Sequence, residues 1–138
     1  MLKNLSKYYQ LFTRISLFVI YFWFGILKVF DVSPAGPLVS ELLDKTLSFI
    51  DPSLFMILFG LFEMGIGLLF LFPKINKITI VIALFHLFTT AMRLVLLPNI
   101  TWQKFLVPTL EGQYIIKNLL IVSALIGLTT IQRHKENK

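Results

Sequence analysis

Four stretches of the chain are almost free of polar residues: Leu11 to Phe30, Ser53 to Phe72, Ile78 to Leu97 and Gln113 to Ile131. Each is near the roughly 20 residues that an α-helix needs to cross about 30 Å of hydrocarbon. None alternates with period two, as a barrel strand would. A spanning segment must satisfy its backbone polar groups internally, so all four are predicted to be helices. Joined by short links, they predict an all-α polytopic membrane protein: one membrane domain over residues 1–138, built as an up-down-up-down four-helix bundle.

The first link, SPAGPLVSELLDKTLSFIDP, is too polar to span, yet Leu38, Val39, Leu42, Leu43, Leu47 and Ile50 recur at helical spacing. It predicts a short interfacial helix on the outer surface. Asp51 followed by Pro52 predicts an N-cap with proline at the first helical position. Trp102, in the link between the third and fourth spans, is expected at headgroup level. The first span follows Lys3, Lys7 and Arg14 as a signal peptide might, but no small-residue cleavage site follows it, so a retained span is expected.

Hydrophobic residues make up 57% of the sequence, above the usual share for a soluble fold, which agrees with a membrane location. The net charge of +6 does not point to nucleic acid, because the cationic residues lie between apolar segments rather than on one patch. They bear on topology instead. Lys3, Lys7, Arg14, Lys74, Lys77, Arg133, Lys135 and Lys138 fall on one side of the alternating spans, while Asp31, Glu41, Asp44, Asp51 and Glu111 fall on the other. The positive side is expected to be cytoplasmic, which puts both termini inside. Cysteine is absent, so thiol redox chemistry and thiolate metal sites are excluded.

Charged residues inside a span are costly and are functional candidates by default. On the second span Gly60, Glu63 and Gly67 share a face, so Glu63 is expected in a tight helix contact rather than at lipid. On the third, Thr79, Ala83, His86, Thr89, Thr90 and Arg93 form one small, polar stripe. Rise per residue puts Glu63 and His86 at one depth, where their protonation would be mutually dependent. Lys28, Arg93 and Lys117 fall in the outer third of three spans, with Asp31 and Glu111 as acidic neighbours, and predict an electropositive mouth above the buried pair. Arg14 is expected to snorkel to the inner headgroups. Each residue also has a plainer reading: Glu63 as a helix–helix hydrogen bond, His86 as a satisfied interior histidine, Lys28 and Lys117 as snorkelling cations. A b-type haem needs two axial histidines and only His86 lies in a span; a di-metal carboxylate bundle needs several acids and only Glu63 is available. No metal site is expected.

The stretches FWFGILKVF (Phe22 to Phe30), GLFEMGIGLLFL (Gly60 to Leu71) and PTLEGQYIIKNLLIV (Pro108 to Val122) resemble the DoxX-like family of small four-helix membrane proteins. The resemblance runs from the first span to the last. It implies a location in the bacterial cytoplasmic (inner) membrane and a role as a redox-associated subunit binding a quinone or similar lipid-soluble carrier near the outer face. By position, Lys28, Glu63, Glu111, Lys117 and Asn118 stand where it places its characteristic polar residues. In that reading Glu63 or His86 relays a proton, Lys28, Arg93 and Lys117 stabilise negative charge on the carrier, and a partner protein supplies the electrons. Two other readings stay open: a non-catalytic structural or interaction subunit, and a small lipid- or solute-binding transporter-like module. Whether the chain is itself an enzyme, and whether it forms a homo-oligomer, the sequence leaves open; membrane lipids are the one partner every reading shares.

Overall fold

The computed structural model describes residues 2–136, with side chains described over 4–132. Lys138 therefore lies outside the described residues, as do the side chains of Lys3, Arg133 and Lys135 on which part of the orientation argument rests. The order is α1 (Leu2–Val29), α2 (Gly36–Thr46), α3 (Pro52–Phe70), a 3-10 turn (Pro73–Ile75), α4 (Asn76–Ala91), α5 (Arg93–Leu96) and α6 (Pro98–Thr101), then a hairpin of β1 (Trp102–Lys104) and β2 (Val107–Pro108), then α7 (Leu110–Lys117) and α8 (Leu119–Glu136). Four stretches are long and apolar enough to cross a membrane: Asn4–Val29, Pro52–Phe70, Pro73–Leu96 and Leu110–Gln132.

Span boundaries follow capping groups more than hydropathy. At the end of α1, Val32 N–H donates to the Leu27 carbonyl (3.0 Å) and Asp31 N–H to that of Lys28 (3.2 Å), with Asp31 in the left-handed region at φ 54°. This is a Schellman closure with aspartate where glycine is usual. Asp31, expected as a partner for Lys28, is thus an exposed chain-reversing residue. Asp51 accepts from Leu54 N–H at 2.8 Å and, with Pro52 behind it, opens α3 as its sequence predicts. Asp51→Ala is expected to lower stability by about 1 kcal/mol in a detergent unfolding series, while Asp51→Asn, which keeps the acceptor, stays near wild type.

The fourth span begins at Leu110 rather than Gln113, because Thr109 Oγ1 accepts from Gly112 N–H at 3.1 Å and caps α7. It tightens at Asn118, whose N–H reaches back only to Ile115 (3.1 Å). The third span runs on through Met92, which accepts from Leu96 N–H at 2.9 Å. Arg14 does not snorkel freely: its Nη1 donates to the Phe70 carbonyl at 3.1 Å and satisfies one of the open acceptors ending α3.

The main core draws on all four spans: Leu17 and Tyr21 from α1, Ile66 and Phe70 from α3, Ile80, Ala83 and Leu87 from α4, Leu125 and Leu128 from α8. The most extensive helix pair is antiparallel α1 and α3. Gly25 and Gly60 face each other so closely that a Cβ on either would meet the other's carbonyl oxygen, at 2.5 Å and 2.6 Å. Helix α2 exists where the sequence puts a short helix, but its apolar face is spent on the bundle: Val39 and Leu43 pack on Met56 of α3, and Leu38 packs with Leu97 and Ile115. The apolar pattern gives no hint of the hairpin. Trp102 lies half-buried at its base, with Nε1 donating to the Leu94 carbonyl at 2.9 Å.

Candidate functional site

The α1–α3 contact brings the last turn of α1 across the middle of α3. Lys28 Nζ lies 2.5 Å from Glu63 Oε2, and His86 Nε2 from α4 lies 2.8 Å from Glu63 Oε1. All three residues are nine-tenths buried or more, at 6%, 5% and 7% exposure. Each carboxylate oxygen thus has one partner, and the group joins three spans by short, charge-assisted bonds. Burying a single carboxylate in this setting costs several kcal/mol, and pairing it offsets that cost.

Aromatic rings enclose the group. Phe59, one turn before Glu63, stacks on the His86 ring with centroids 5.3 Å apart and lies 5.6 Å under Lys28 Nζ. Tyr21 meets the imidazole edge-on, at 5.3 Å. With Nε2 directed at Glu63, Nδ1 of His86 has no partner among the described residues, nor does the Tyr21 hydroxyl. The His86 carbonyl takes the hydroxyls of Thr89 (2.8 Å) and Thr90 (3.0 Å), which fixes the backbone behind the ring. Arg93 is 7% exposed, its Nε is unpartnered, and it lies close enough to feel the Glu63 charge.

The structure brings together Lys28, Glu63 and His86, with Arg93 buried near enough to sense the Glu63 charge but not in contact with it among the described residues. It does not gather Glu111, Lys117 and Asn118 there. Glu111 and Lys117 are exposed on α7, Lys117 lying 5.2 Å over the Tyr114 ring. The expected open mouth of three lysine and arginine side chains is therefore corrected: Lys28 is buried against the carboxylate, Arg93 is buried without an ion-pair contact to it among the described residues, and Lys117 is exposed on α7. Helix register explains it, since α1 turns Lys28 toward Glu63 while α7 turns Lys117 outward. Asn118 lines a groove of about 320 Å³ between α4 and the α7–α8 junction, with Leu87, Ala91, Leu94, Ile115 and Val122. Sequence reasoning overlooked Phe59, although its position four residues before Glu63 puts it on the same face.

Comparison with protein-family models, with curated proteins and with solved structures gives no match. The DoxX-like resemblance therefore rests on the residues quoted for it.

Proposed function

We propose that the protein is a DoxX-like subunit of the bacterial inner membrane that binds a quinone or similar lipid-soluble carrier, with both termini cytoplasmic and α2 lying along the outer surface. The observation that carries this reading is the Lys28–Glu63–His86 chain, a titratable relay buried among the spans. The groove walled by Ala91, Leu94 and Ile115 and floored by the Asn118 side suits a flat, mostly apolar ligand that approaches through lipid. A bound quinone would supply two-electron, two-proton redox chemistry, with electrons delivered by a partner protein. In this chain Glu63 takes up or releases the carrier's proton, while His86 Nε2–H and Lys28 steady the carboxylate whenever it is charged. Phe59 and Tyr21 keep water away from that exchange.

The test is mass spectrometry of mildly purified protein, wild type against Glu63→Gln. The reading expects a co-purified quinone in the wild type that is lost in the variant; a wild type that never retains quinone overturns it. A second reading, a structural subunit, is favoured by how completely Glu63 is already satisfied, with one partner on each oxygen. It expects a stoichiometric protein partner and no small molecule in the same spectra.

A further inference from the structure

The charges around Glu63 do not balance. Lys28 and Arg93 are two buried cations, Glu63 is one carboxylate, and the His86 Nε2–H that donates to Glu63 is compatible with a neutral ring. One positive charge is left over. None of the other described acids supplies the counter-charge: Asp31, Asp44, Asp51 and Glu111 are exposed, and Glu41 pairs with Lys45 at 3.4 Å. Buried charges are paired in stable proteins, and an arginine whose Nε has no partner among the described residues departs from that rule.

We propose that Arg93 binds one oxyanion group, a carboxylate or phosphate. Guanidinium geometry favours such a group over a spherical ion, because its parallel N–H groups match two oxygens. The position suits delivery from headgroup depth: Arg93 opens α5, one turn from the end of its span at Leu96. The oxyanion arrives either on an amphiphile or free in solution. This inference rests on the charge count and the orphaned Nε, not on the carrier reading, so a protein that retains no quinone leaves it standing.

Isothermal titration of the full chain in neutral detergent tests it with three probes: sodium dodecanoate, dodecanol and inorganic phosphate. Saturable one-to-one binding of dodecanoate but not phosphate supports a lipid-borne oxyanion. Saturable phosphate binding supports a free one. Arg93→Gln is expected to weaken the binding by about tenfold or more, the scale of one charge-assisted hydrogen bond, while Lys117→Gln leaves it unchanged. The proposal is overturned if neither anion saturates, if dodecanol binds as dodecanoate does, or if Arg93→Gln binds as tightly as wild type. Should Arg93→Gln fail to fold, the wild-type contrast between dodecanoate and dodecanol decides alone, and Arg93→Lys, which keeps the charge but loses the fork, is expected to bind at intermediate strength.

Discussion

Gly60→Ala is expected to destabilise the bundle by about 2 kcal/mol or more, even though alanine is the better helix former by about 1 kcal/mol. The added Cβ would lie 2.6 Å from the Gly25 carbonyl oxygen and 2.9 Å from the Lys28 Cβ. Neither is the free end of a flexible side chain, so α1 and α3 must separate to make room. Separation is costly here because Lys28 and Glu63 meet across the same contact, and moving α1 outward stretches their 2.5 Å bond. Gly65→Ala, on the same helix, is the control. Its Cβ would meet nothing within 4 Å, so only the gain in helix propensity should remain, and stability should rise by up to about 1 kcal/mol. Unfolding of the three proteins in one detergent series checks the opposite signs; equal stability of Gly60→Ala and Gly65→Ala would show that the close approach is not what holds α1 to α3.

The contrast between these glycines marks how far the sequence could be read. Period and run length gave the four spans, because hydrocarbon thickness and backbone satisfaction leave little freedom in either. The face shared by Gly60, Glu63 and Gly67 was legible for the same reason: a carboxylate within an apolar helix must turn away from lipid. The polar stripe on the third span was legible too, with Thr79, Ala83, His86, Thr90 and Arg93 buried and Thr89 half-buried. What could not be read were features set by single local bonds. Asp31 looks like a partner for Lys28 until its left-handed backbone is seen, and Thr109 looks like loop until Gly112 donates to it. The hairpin at Trp102–Pro108 is held by contacts such as Thr109 Oγ1 to the Ile100 carbonyl at 2.6 Å, which leave no periodic trace.

In the candidate site, depth was legible and azimuth was not. Counting rise per residue puts Glu63 and His86 at one level, and they lie in hydrogen-bonding contact. The same count puts Lys28, Arg93 and Lys117 at one level and suggests a common mouth. Rotation about each helix then separates them, and only packing among all the helices fixes that rotation. Lys117 sits on the exposed side of α7 for this reason.

Glu63→Gln alone is expected to cost about 3 kcal/mol or more, because it leaves the Lys28 ammonium buried without its counter-charge. Lys28→Met alone is expected to be milder, since His86 still donates to the carboxylate and Arg93 still offsets its charge. The double variant Lys28→Met with Glu63→Gln removes both charges and keeps an oxygen for His86 Nε2. It is expected to regain most of the stability lost in Glu63→Gln, giving a coupling of at least about 1 kcal/mol in a double-mutant cycle. Simple additivity of the two losses would mean that the pair does not act as a unit. The double variant also separates the two functional readings, which single variants confuse with unfolding. If Glu63 only knits the helices, the refolded double variant should associate with its partner as wild type does. If Glu63 and Lys28 instead hold the carrier's oxygens, stability returns while the co-purified quinone does not, because the double variant has lost both charged groups that would contact it.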